Sequence, residues 1–250
     1  MTLNLMGLYL LTSDNKGEGF AMLRLQFYWG LCLSFALTAL FAGCQSKPAT
    51  QQYQNRLAEI KVQRIVVMPF IRGLPDTRLN EPIKRMLYCT MDNLCFNIKE
   101  VRGNADELLT GYLQDALKPR YGEALIPLQI VRPAYSAMPK NPPTDTPQSL
   151  AIALGKKLQA DHVMVGTVWR YQQLVGSAEA ADKPASVAFA IYLLNVETGN
   201  PVWEATYEKT QQPLSQNVLN IKEFFNMGAR WLTAEELARY GIKQVLGEAQ

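Results

Sequence analysis

The sequence predicts an α/β domain: a mixed parallel and antiparallel sheet flanked by helices. Three observations carry that reading. RIVVMPF (Arg64–Phe70) and SVAFAIYLLN (Ser186–Asn195) are apolar on both faces, as strands buried inside a sheet must be. PVWEATYEK (Pro201–Lys209) alternates strictly, with Trp203, Ala205 and Tyr207 on one face and Glu204, Thr206 and Glu208 on the other, as a half-solvated strand near an edge does. Between the strands lie stretches with helical periodicity and recognisable caps.

Taken in order, Tyr53, Leu57 and Ile60 have helical spacing, and one short helix is expected over 53–60. The strand at 64–70 is expected to end at Pro69, with Gly73 and Pro75 following. Residues 71–102 read as an inserted loop with a helical turn around Pro82–Tyr88 and a cysteine pair near its end. Asn104 and Glu107 suggest a capping box for a helix with Leu108, Leu109, Tyr112, Leu113, Ala116 and Leu117 on one face, ended by Pro119. LIPLQIV (Leu125–Val131) reads as a second strand, and Arg132–Pro147, with Pro133, Pro139, Pro142, Pro143 and Pro147, as a loop.

Thr146 caps the next helix with Pro147 at its first position, where a missing N–H costs nothing, and Leu150, Ala151, Leu154 and Leu158 form its apolar stripe. Asp161 starts a long strand with Val163, Val165, Thr167 and Trp169 on one face, and Gly176–Ala185 is a polar loop. A turn at Asn195–Asn200 joins the last two strands. Helices near Ser215–Met227 and Ala234–Leu246 close the chain, the second capped by Thr233 and Glu236. The predicted order is β-α-β-α-β-β-β-α-α in one domain.

The N-terminal region differs in kind. Arg24 supplies a positive flank, and the apolar run Phe27–Phe41 is shorter than the roughly 20 residues of a membrane span but suits the apolar part of a signal peptide. Ala42, Gly43 and Cys44 follow, then the polar QSKPATQQ. This stretch resembles a bacterial lipobox, with Phe41 where leucine is usual; the resemblance implies cleavage before Cys44 and acylation of its thiol. The competing reading is an ordinary membrane anchor with an incidental cysteine. Residues 1–43 are thus expected to be a signal peptide, with a start at Met22, residues 44–63 a lipidated tether, and 64–250 a periplasmic domain. By the same analogy Gln45, where aspartate would mark retention at the inner membrane, implies residence in the outer membrane, facing the periplasm.

Four cysteines are present. Cys32 leaves with the signal and Cys44 carries lipid. Cys89 and Cys95 remain, and an oxidising compartment makes a disulfide their default, with a metal or redox-active pair as the alternative. The charges, net +3, read as scattered along the chain, which argues against nucleic acid as a partner.

RIVVMPF, SLAIALGKKLQADHVMVGTVWRY and IYLLNVETGNPVWEATYE together resemble a group of periplasmic lipoproteins. The group comprises the curli-secretion lipoprotein family, lipoprotein activators of penicillin-binding proteins, and the N-terminal domain of the Tol-system translocation protein. The resemblance implies a binding or assembly role without catalysis or cofactor, an envelope protein as partner, and lipid anchorage to the membrane. A search for chemistry agrees. His162 is the sole histidine; beside Asp161 on a strand it should point to the opposite face and form no dyad. Gly155-Lys156 lacks the rest of a phosphate-binding loop, with Leu150 where glycine is required. Trp169, Trp203 and Tyr207 could form a ligand platform, but inward strand aromatics are more often core. Rival functions are a ring-forming secretion component, an envelope enzyme using Asp76, Asp92 or Glu100, and a small-ligand carrier. The Pro-rich loop 132–147 and the loop 71–102 are the expected contact surfaces.

Overall fold

The computed structural model describes residues 57–73, 86–93, 101, 103–178, 181–212 and 230–247. Cys44, Asp76, Cys95, Glu100, most of the expected tether and the expected helix at 215–227 lie outside them.

β6 (Ser186–Asn195) is the centre of the main sheet, antiparallel to both β3 (His162–Gln172) and β7 (Pro201–Thr210). β1 (Ile65–Val67) lies parallel to β3 on its far side, giving the order β1-β3-β6-β7. β6 is buried on both faces and β7 alternates, as their side-chain patterns demand. A short pair, β4 (Val175–Gly176) with β5 (Ala181–Lys183), forms inside the segment expected to be an irregular loop.

The sheet separates two apolar layers. α1 (Ala105–Tyr121) and α4 (Ala234–Leu246) cover one face, where Leu109, Leu113, Leu237 and Ile242 meet Met164, Phe189, Trp203 and Tyr207. Leu57, in the helical turn at 57–59, joins this first layer. α2 (Leu128–Ser136) and α3 (Pro147–Lys157) belong to the second layer, where Val131, Leu150 and Leu154 meet Val163, Val165, Trp169 and Tyr192. The mixed α/β architecture is therefore as predicted.

Five local expectations are corrected. LIPLQIV is not a strand: only Leu125 bridges to Ile65, the Ile126 N–H donates to the Ile65 carbonyl at 2.9 Å, and the chain then turns into α2. A short apolar run fits either element, and here the dihedral fixed by Pro127 (φ −62°) precedes a helix. Arg132–Ser136 is consequently helix rather than loop, with Pro133 inside it. An interior proline costs about 3 kcal/mol, offset here by the burial of Val131 and by lysines that take up the helix's last carbonyls. Pro119 does not end α1, which continues to Tyr121. Asn104 precedes α1 without a side-chain capping bond, whereas Thr146–Ser149 and Thr233–Glu236 form complete capping boxes.

The fifth correction concerns Pro69. The strand resumes beyond it as β2 (Ile71–Arg72), again parallel to β3. Five residues on this side, Val67 to Ile71, span what four cover on β3, Met164 to Thr167, so one extra residue bulges the strand at its proline. Phe70 there donates its N–H to Thr110 Oγ1 on α1 at 2.9 Å, and its ring lies against Gly166, where any Cβ would overlap it. Residues 71–102 are therefore not wholly an insertion: Ile71, Met86 and Leu87 are core, and Val101 bridges to Tyr171.

Candidate functional site

The two segments singled out as contact surfaces are one surface. Met91 donates its N–H to the Asp145 carbonyl at 2.8 Å, Asp92 donates to the Pro142 carbonyl at 3.3 Å, and Gln148 donates to the Leu87 carbonyl at 3.1 Å. Each loop is also held from below. Met86 and Leu87 are buried in the second layer, with Thr167 Oγ1 donating to Met86 Sδ at 3.6 Å. Across from them, the turn at 141–145 closes on itself. Asn141 donates its N–H to Asp145 Oδ2 at 2.6 Å, and the Asp145 N–H returns to the Asn141 carbonyl at 2.8 Å. Pro142 and Pro143 suit that turn because their ring-fixed φ needs no further ordering.

Gln148 ties the surface to the sheet. Beyond its N–H bond to Leu87, its Nε2 donates to the Gly199 carbonyl at 2.7 Å in the β6–β7 turn. Gln148 and Thr110 are passed over in the sequence reading, since both act over long separations. Gln148 had one available signal, its place in the first turn of a capped helix, where a backbone N–H is free for an outside partner.

Beside this surface, α2 is ringed by cations. Lys140 Nζ donates to the Tyr135 carbonyl at 3.0 Å and sits 4.5 Å from the centre of the Tyr135 ring. Lys157 Nζ donates to the Ala134 carbonyl at 3.2 Å. Arg132, Lys140, Lys156 and Lys157 have no carboxylate partner among the described residues, although arginines elsewhere pair with Asp106, Glu208, Glu235 and Glu236. Most charges are scattered, but a local excess of cations is found here. Residues 128–160 hold those four cations against the single carboxylate of Asp145, a net +3 that equals that of the whole chain.

Between α1 and α2, over the bulge at Pro69, is a cleft of about 220 Å³ lined by Pro69, Asp106, Glu107, Thr110, Arg132, Tyr135 and Ser136. Asp106 is already engaged by Arg72, whose Nε and Nη2 both reach Oδ1 at 2.9 and 2.6 Å. Burial raises the Tyr135 phenol above its ordinary pKa, so it stays protonated. The cleft is smaller than the roughly 300–1,000 Å³ of ordinary small-molecule pockets.

The other residues weighed from the sequence fall apart as a site. Trp169 lies in the second apolar layer while Trp203 and Tyr207 lie in the first, so the sheet divides the imagined platform. Asp92 is exposed on the loop surface. His162 Nδ1 lies 3.1 Å from Asp161 Oδ2, closer than strand alternation predicts, because Asp161 sits at the bend before β3. That carboxylate is committed to structure. Burial pushes its pKa up, but the backbone N–H groups of Gln63 and Arg64, at 2.9 and 2.7 Å, together with His162 outweigh this and hold it low. Cys89 is half-buried against the second layer; its expected partner Cys95 lies outside the described residues. Among the described residues no three metal-ligating side chains converge, and no helix is long and apolar enough to cross a membrane.

No family model and no curated protein matches the chain. Solved structures to which it is similar include the PelC dodecamer from Paraburkholderia phytofirmans, at 15% identity and TM-score 0.40, covering 75% of this chain and 87% of that one. The LpoB C-terminal domain from Salmonella enterica is 14% identical with TM-score 0.38 over 65% of this chain and 96% of that one. Lipoprotein GNA1162 from Neisseria meningitidis is 15% identical with TM-score 0.36 over 67% and 96%.

Proposed function

We propose that this protein is an outer-membrane lipoprotein, anchored through acylated Cys44, whose periplasmic domain is a non-catalytic docking factor for another envelope protein. The observation that carries this reading is the backbone coupling of residues 86–92 to 141–148, which turns two loops into one preorganised surface on a rigid sheet. Preorganisation matters because association must otherwise meet the cost of ordering loops at the interface. The lipid anchorage rests on the Ala42-Gly43-Cys44 pattern and the polar tether behind it. A tether of about a dozen residues reaches roughly 40 Å when extended.

The test is photocrosslinking in cells from a benzophenone residue at exposed Asn141, whose structural bonds are all made by its backbone. A discrete adduct with a second envelope protein is expected. Adducts only with itself would favour a ring-forming assembly, and no adduct would remove the surface from consideration.

A further inference from the structure

We propose that the partner presents an acidic polypeptide segment, and that Arg132, Lys140 and Lys157 around α2 receive it. This rests on the docking reading above and adds the chemistry of the occupant. Arg132 lies on α2, and Lys140 and Lys157 are drawn to its C-terminal turn by the Tyr135 and Ala134 carbonyls. Those contacts orient the ammonium groups, and no carboxylate among the described residues pairs with any of the three, although Asp106 and Glu107 line the same cleft as Arg132. Ile130, 53% exposed on α2, and Tyr88, 51% exposed on the coupled loop, add apolar contact area to the same layer. Cations interspersed with exposed apolar side chains match an acidic segment carrying apolar residues, with the charges steering the encounter.

An anionic lipid surface offers related chemistry, and the vesicle arm of the experiment below separates the two.

The experiment uses the full-length lipoprotein with the Asn141 crosslinker. A triple charge reversal, Arg132→Glu, Lys140→Glu and Lys157→Glu, should lower the yield of the hetero-adduct by about tenfold or more. The charge-preserving triple Arg132→Lys, Lys140→Arg and Lys157→Arg should retain it, and the crosslinked partner peptide should be rich in Asp and Glu. Independently of any variant, adduct formation between purified native proteins should fall steeply between low and high salt. Hetero-adducts insensitive to both reversal and salt overturn this inference while leaving the docking reading standing. Adducts only with lipid, or sedimentation of the native protein lacking its acyl chain with phosphatidylglycerol vesicles, overturn it in favour of a membrane surface. Absence of any adduct from the native protein overturns both.

Discussion

Met91 and Asp145, far apart in the chain, meet through a 2.8 Å hydrogen bond from the Met91 N–H to the Asp145 carbonyl. Met91 opens a single 3₁₀ turn, so proline at that position would remove the donor where a ring is sterically tolerated. Met91→Pro should therefore uncouple the two loops while leaving the sheet intact. The expected readout is faster amide exchange at Asp92 and Gln148 with unchanged protection in β6, at a stability cost of about 1–3 kcal/mol. Unchanged exchange at both amides would show that the loops hold their places separately.

Gly166 is required by the Phe70 ring, which occupies the space of any Cβ at that position. Gly166→Ala should destabilise the domain by about 1–3 kcal/mol through overpacking, seen as a lower urea midpoint with an unchanged slope. Phe70→Leu introduced together with it should recover part of the loss. Additive losses would place the strain elsewhere.

Long, doubly buried or strictly alternating strands were legible in the sequence, as were the helices with side-chain caps, because their determinants are local. Ser186–Asn195 has nowhere to go but a sheet interior, and Thr146–Ser149 and Thr233–Glu236 satisfy their own helix ends. The errors cluster at prolines. Pro69 interrupts a strand without ending it, and Pro119 and Pro133 sit inside helices, so a proline alone does not place an element's end. The loop surface was legible only as two separate segments. The hydrogen bonds that join them run between backbone atoms, which carry no residue signature, and the gathering of charge around α2 depends on α2 being a helix.

Acid should weaken the C-terminal helix in a defined window. The Arg230 guanidinium, then the Thr233 N–H, hold the Glu236 carboxyl down to about 2 against an ordinary value of 4.5. A depressed folded-state pKa gives stability that is fully present above the unfolded value and lost as pH falls from there through about 2. Glu236→Gln keeps the capping geometry but not the charge. It should reduce the fall in urea midpoint between pH 5 and pH 2.5, with Asp161, also held low, contributing the remainder in the same direction. An equal fall in both proteins would assign the acid sensitivity to other groups.

The two proposed covalent features separate cleanly in cells. Cys44→Ser should abolish incorporation of labelled palmitate and leave an uncleaved precursor that migrates more slowly than the mature protein. If Cys89 and Cys95 pair as expected from the sequence, neither thiol should be open to alkylation in the exported protein until reductant is added. Cys89→Ser should then lower stability by about 2 kcal/mol, the loop it closes being short. Alkylation of both thiols in the unreduced exported protein would dismiss the pairing.

Thr110 holds the bulge at Pro69. Its Oγ1 accepts the buried Phe70 N–H at 2.9 Å while its own hydroxyl proton goes to the Asp106 carbonyl at 2.6 Å, so one side chain satisfies two backbone groups. Thr110→Val preserves shape and removes both bonds, leaving the Phe70 N–H buried without an acceptor, at an expected cost of about 1–3 kcal/mol. Thr110→Ser keeps the hydroxyl and should lose less. Because Phe70 also packs against Gly166, Thr110→Val and Gly166→Ala should be non-additive in a double-mutant cycle, with a coupling of about 0.5 kcal/mol or more. Full additivity would show that the bulge and the ring contact are set independently.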